Sequence, residues 1–334
     1  DNYGCSFIGA RAGYSSTTAK DVTFVGTQAG YLNSSGSSNT ALGAATLYSN
    51  TTANNNTAVG YQSGYYLTGG NNTSIGWQAL SVVTASSSGA NNVAVGYQAL
   101  VYNTTANSNT AVGYQSLYSN TTASGNTSVG QQAGYSVTTN TGNSYLGYQA
   151  GFYNTADGNT SIGYQALLGS SGASTGRWNT VVGANAAGSL TTGLYNVGVG
   201  GYVMPNITTG SSNVGVGGGV PGASNATLYS LTTGSQNIAI GTGALYTNST
   251  AGSNTAVGHA ALYTANASNN TAVGYQTLYA VTSGGSNTAI GQQAGYGLTT
   301  GANNVCVGYT AGYYSAAWAT GSNGIYIGYQ SGAS

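Results

Sequence analysis

Charge is almost missing from this chain. Among 334 residues only Asp1, Asp21, Asp157, Arg11, Lys20 and Arg177 are charged, Glu is absent, and the formal net charge is zero. An ordinary domain carries about 25% charged residues. With no basic face to meet phosphate and no acidic tail, nucleic acid is excluded as a partner. Long apolar runs are also lacking. A transmembrane helix needs about 20 consecutive apolar residues, whereas Gly, Asn, Thr or Ser interrupts this chain every few positions, so no membrane insertion is expected. No signal-peptide pattern is visible, and any such segment is expected to have been removed or never carried.

The groups of acid–base and metal chemistry are equally scarce. The single histidine, His259, has no carboxylate beside it in sequence. It occupies a column most often held by Tyr, which reads as a packed or surface substitution. Paired carboxylates, Cys/His metal spacings and a nucleophile elbow are all lacking, so the chain is expected to be no enzyme and to need no cofactor. The Gly-rich run at 215–219 lacks the Lys and the helix of a phosphate loop. Asp157 and Arg177 lie in turns about one coil apart, where an exposed pair would decide little. Cys5 and Cys306 are 301 residues apart. In a solenoid that distance excludes an intrachain disulfide, leaving buried thiols or interchain partners.

What the chain has is 56 Gly, 29 Tyr and a fixed period. Disordered chains are poor in aromatic and β-branched residues; this one is rich in both, and they recur. An aliphatic residue followed by Gly appears 19 times, from Gly9 to Gly328, and eleven of the eighteen intervals are 17 residues. The position before the Gly is always Val, Ile or Leu; four before it stands Asn in 16 copies; five after it stands Tyr in 11. Gln often stands two after it, as at Gln28, Gln62, Gln78 and Gln98.

Such a unit is a poor helix former. The run Thr57, Ala58, Val59 alternates as a strand does, and a second short run, Leu117 to Ser119, precedes the turn formers Asn120 to Gly125. Two short strands and two turns per unit predict an all-β fold, a parallel β-solenoid (a two-strand β-roll) of about 19 coils. Residues 1–334 read as one solenoid, regular over 5–183, irregular and Gly-rich over 184–236 with Pro205 and Pro221 in its loops, and regular again over 237–331. A hexapeptide β-helix would show three aliphatic positions per coil, and this unit shows one. The expected ladders include Asn56, Val59 and Gly60, then Asn109, Val112 and Gly113, then Asn254, Val257 and Gly258. In this reading the Asn bonds its neighbours as an amide ladder, the Gly admits a close approach, and the aliphatic column fills the interior. Stacked like charges would repel, which explains their scarcity. The spacing 17, 17, 17, 16, 20 occurs twice, each time summing to 87 residues, and places insertions at Ser81–Gly89 and Leu168–Gly176. Duplication or evenly placed binding loops would each produce that.

Units such as Asn56–Gly64 and Asn270–Leu278 resemble the repeats of phage-type tail-fibre proteins and the heads of trimeric autotransporter adhesins. The resemblance covers residues 5–331. It implies a left-handed parallel β-roll, three chains side by side, and an extracellular or virion location. It also implies a self-cleaved C-terminal chaperone, with Ser334 as a processed end. The chain differs from adhesin heads by about three extra residues per coil, and it shows no coiled-coil stalk.

A lone rod of this composition would expose apolar columns, which monomers rarely do, so a homotrimer is expected. The expected function is a structural and adhesive fibre shaft binding glycans through Tyr61, Tyr97, Tyr114, Tyr118 and Tyr275. The alternatives are an ice- or polysaccharide-binding solenoid using Thr40, Thr57, Thr110 and Thr127, and a subunit of a self-assembling extracellular filament. The Thr row shares a face with the aliphatics and is expected to point inward, against the ice reading. The sequons at Asn50, Asn103, Asn120, Asn206 and Asn248 are those an Asn/Thr-rich repeat generates by chance.

Overall fold

A computed structural model describes residues 3–82, 87–170, 174–220, 225–313 and 319–332. The chain is an all-β parallel solenoid whose coils fall into two units, Asp1–Asn159 and Thr160–Ser334. Each coil contributes one three-residue strand. The first unit runs from β1 (Ser6–Ile8) to β9 (Ser144–Leu146) and the second from β10 (Thr160–Ile162) to β19 (Ile325–Ile327), with no helix among the described residues. Successive strands in a unit pair in parallel and bring like residues together: Thr57 opposite Thr73, Ala58 opposite Ser74, Val59 opposite Ile75. Irregular spacing leaves this register intact, since Thr73 still meets Val93 and Val214 still meets Ile238. Extra residues are absorbed in the turns. The insertion residues 83–86 and 171–173, Pro221 and Ser334 lie outside the described residues.

Among the described residues the expected second strand is absent. Leu117–Ser119 is turn, with Gln115 and Leu117 both in the left-handed region at φ 51° and 47°. Its amides nevertheless bond the next coil. Leu117 N–H donates to the Ala133 carbonyl at 3.0 Å and Ser119 N–H to that of Tyr135 at 3.1 Å, while Gln115 N–H donates backward to Tyr97 at 2.9 Å. The ladder therefore continues without strand geometry, Gln115 reaching the preceding coil and Leu117 and Ser119 the following one, while Ser116 N–H closes onto the Gly113 carbonyl of its own coil.

The interior differs from expectation in one decisive respect. The invariant aliphatic column, Val59, Val112 and Val257 included, faces outward, and no member of it is buried. The middle strand residue faces in, and it is usually small: Ala58, Ala111 and Ala256 are fully buried. The space beside it is filled from the turn, by Leu47, Leu80, Leu100 and Leu117 in the first unit and Leu245, Leu262 and Leu278 in the second. A left-handed Leu costs about 1–2 kcal/mol, and burying its side chain returns about 1.5–3 kcal/mol, so packing wins. Where the strand residue is large, the turn position is Gly instead. A Cβ on Gly30 would strike the Phe24 ring, and one on Gly151 the Tyr145 ring. In the Gly-rich coils the exchange runs the other way: Gly198 faces Met204, whose Cε lies 2.9 Å from where a Cβ would sit. Some coils bury a second large side chain three residues later, as Ile207 follows Met204 and Leu231 follows Leu228. The described residues of 184–236 thus change how the roll is filled while keeping the strand register.

The repeated Gly is required by both space and backbone. Gly60 has φ 122°, and a Cβ there would lie 2.6 Å from the Gly76 carbonyl oxygen of the next coil. Gly60→Ala is expected to lower stability by about 2 kcal/mol or more. Gly125→Ala, at φ 71° with nothing within 4 Å, is expected to cost about 1 kcal/mol. Urea titration of the two variants checks the contrast, and equal losses would contradict it.

Candidate functional site

The Asn column is structural. Asn56 N–H donates to Asn39 Oδ1 at 2.8 Å and its Nδ2 to the Gly69 carbonyl at 3.0 Å. The same bond joins Asn109 to Asn92 Oδ1 and Asn254 to Asn237 Oδ1, and all these side chains are buried. The sequon residues Asn50, Asn103, Asn120 and Asn248 form a second buried set. Each donates Nδ2 to the carbonyl three residues on and accepts that residue's N–H, as Asn50 does with Ala53. A glycan at any of them would require opening the coil; only Asn206 of the five is exposed.

What faces solvent falls into a flat face and rows of rings. The flat face carries the two outer strand columns. In the first unit Thr23, Thr40, Thr57, Thr73, Thr110 and Thr127 run beside Val25, Leu42, Val59, Ile75, Val112 and Val129. Leu42 is 48% exposed there, and Ile290 of the second unit 46%. The Thr row therefore points outward with the aliphatics, contrary to the expectation from sequence.

The rings form two kinds of row. Tyr14, Tyr31, Tyr48 and Tyr65 stack at centroid distances of 5.1, 4.9 and 4.8 Å; Tyr118, Tyr135 and Phe152 form a second such stack. In the second unit Tyr229, Tyr246, Tyr263, Tyr279, Tyr296 and Tyr313 form a third. A different column, directly after the Gly, sets Tyr61, Trp77, Tyr97 and Tyr114 in an exposed plank. The five Tyr singled out from sequence thus divide. Tyr61, Tyr97 and Tyr114 share that plank, Tyr118 belongs to the half-buried stack, and Tyr275 pairs with His259 at 5.4 Å in the second unit. Trp77 was missed because a search for Tyr passes over it, although it stands in the same column. Beside the plank Gln62, Gln78, Gln98, Gln115, Gln132 and Gln149 pass one amide bond from coil to coil at 2.9–3.2 Å.

Chemistry is otherwise sparse. Among the described residues no three His, Cys, Asp or Glu gather where they could hold a metal, and no helix is long and apolar enough to cross a membrane. Asp157 Oδ1 accepts the Thr141 N–H at 2.8 Å. Both cysteines are free thiols. Cys306 points into the roll, and burial pushes its thiol up to about 11; Cys5 Sγ donates to the Ala19 carbonyl at 3.3 Å.

No family model matches the chain, and comparison with curated proteins finds no match either. The fold by itself defines the class, a β-solenoid repeat protein.

Several rings hold their protons tightly. The Tyr118 hydroxyl is pushed up to about 12, first by its hydrogen bond with Tyr102 and then by burial. Burial raises Tyr65, Tyr135, Tyr296 and the fully enclosed Tyr145. Because the folded chain binds these protons more tightly, their contribution is complete below about pH 10, where unfolded Tyr titrates, and is lost as pH rises through the folded values. Melting temperature is expected to be flat from about pH 5 to 9 and to fall above about pH 10. The Tyr145 hydroxyl is buried without a hydrogen-bond partner, so Tyr145→Phe should be neutral or stabilising by up to about 1 kcal/mol and soften the alkaline loss. Melts recorded across pH check both, and a Tyr145→Phe variant with unchanged alkaline sensitivity counts against the assignment.

Proposed function

We propose that the chain is a structural and adhesive fibre shaft. It associates side by side with copies of itself through the flat Thr/Val face, most simply as a homotrimer, and acts outside a cell or on a virion. The observation that carries this is the outward aliphatic column, present in every coil and buried in none. Continuous apolar surface of this kind is rare on monomers, and a net charge of zero does nothing to keep copies apart. The rows of exposed Tyr lie beside that face and supply flat, uncharged contacts for surface glycans, each weak but adding through avidity.

A second reading, binding of ice or a crystalline polysaccharide, is favoured by the outward Thr row. The substitutions within that row weigh against it. Where the hydroxyl is lost the residue is Val or Ile, as at Val93, Val197, Val214, Ile238, Val305 and Ile325. The face keeps its apolar character and gives up its hydroxyls, which suits a protein partner better than an ordered water lattice. A filament of the same subunits would use the same face without closing into a ring.

Sedimentation velocity of the wild type and of a Leu42→Lys, Ile75→Lys, Val112→Lys variant tests the proposal. The expected result is a wild-type trimer and a variant that is monomeric with an unchanged circular-dichroism spectrum, since all three positions are solvent-facing. A monomeric wild type would overturn self-association, and thermal hysteresis in that monomer would move the assignment to the second reading.

A further inference from the structure

In the first unit the half-buried ring stack has a gap. Four rungs run from Tyr14 to Tyr65; the next two positions in that column hold Ser81 and Val101; the stack resumes at Tyr118. Both ends of the gap are capped by a ring turned on edge. Tyr66 stands at 72° to Tyr65 with centroids 4.6 Å apart, and Tyr102 stands at 85° to Tyr118 at 5.0 Å. The same cap recurs 87 residues after the first, where Tyr153 stands at 77° to Phe152, so it belongs to the duplicated design of the coil set.

Beside the first cap lies a cavity of about 210 Å³ lined by Gln62, Tyr65, Tyr66, Gln78, Ser81 and Val82. Drug-sized ligands occupy about 300–1,000 Å³, so this space suits a single ring. Its polar groups are neutral and arranged around an aromatic wall. Gln78 Nε2 donates to Gln62 Oε1 at 2.9 Å. Gln62 opens that amide row, because the same column one coil earlier holds Ala45, and both Gln62 and Gln78 line the cavity. Ser81 adds a hydroxyl. No Lys or Arg lines the cavity, which leaves a phosphate or carboxylate without a counter-ion. A wall of rings with amide and hydroxyl groups at its edge matches a molecule that is apolar on its faces and hydroxylated round its rim.

We infer that this cavity binds one neutral pyranose unit of a glycan, its C–H face against the Tyr65/Tyr66 rings and its hydroxyls toward the Gln62 amide and Ser81. The inference rests on the adhesive part of the proposed function and not on the number of chains. It separates a discrete pocket from the exposed Tyr61/Trp77/Tyr97/Tyr114 plank.

Saturation-transfer NMR on the full chain with methyl glycosides of glucose, galactose, mannose and N-acetylglucosamine tests it. At least one glycoside is expected to bind saturably, with affinity reduced about tenfold or more by Ser81→Tyr, which puts the missing ring into the cavity. Tyr66→Ala removes an exposed wall without touching the interior and is expected to act likewise, so a folding defect in the first variant cannot decide the outcome. Trp77→Ala is expected to retain the binding. Binding unchanged in both pocket variants but lost in Trp77→Ala would overturn the pocket and leave adhesion through the plank standing. No saturable binding of any of the four by the wild type would overturn the pocket outright.

Discussion

Within each unit, most backbone amides reach acceptors one coil away, in the turns as well as in the strands, and the rest close three-residue turns within their own coil. This works only if every coil follows the same path, and most of the unusual composition follows from that demand. In the Gly column the paths run close, carbonyl against α-carbon, and a side chain there would force the coils apart. The Asn column repeats the backbone pattern with side chains, satisfying buried polar groups that otherwise would be costly. Like residues stack on like, which rewards amides and rings and penalises charges.

The same constraint divides labour between the strand and the turn. Where the strand supplies a large side chain the left-handed turn position is Gly, and where both are small, as at Ala58 and Gly64, a residue three further on fills the space, as Leu67 does. Leu100 pairs with a small strand residue, Phe24 with Gly30, Met204 with Gly198. Because the interior is filled this way, the outer strand columns are released to serve the surface. Their Val, Ile and Leu residues are thus an external feature, an apolar column repeated at every coil of each unit. The stacked rings add about 0.5–1.5 kcal/mol per pair beyond their buried area and leave their outer edges available for contact.

Much of this was legible beforehand. The period, the parallel register and the roles of Asn109 and Gly60 follow from fixed columns, because a residue that recurs at one place in each coil must solve the same local problem each time. The direction of the strand was not legible. Thr57, Ala58 and Val59 alternate whichever way they face, and the more apolar pair was naturally assigned to the core. What reverses that assignment is Leu117 and its counterparts, which turn inward only because the backbone there is left-handed, a conformation Leu rarely adopts and sequence pattern does not announce. The missing second strand has the same origin, as does the buried state of Asn50 and Asn120, which look like any exposed sequon when read in line.

The amino-acid sequence alone determined that the chain repeats, that its coils pair in parallel and that charge is scarce in them, since those properties depend on periodicity and composition. Only the tertiary structure decided which face is the outside and that the break in the ring column leaves a cavity beside Gln62 and Ser81. Those depend on how a left-handed turn folds back over its own strand, an arrangement set by packing in three dimensions.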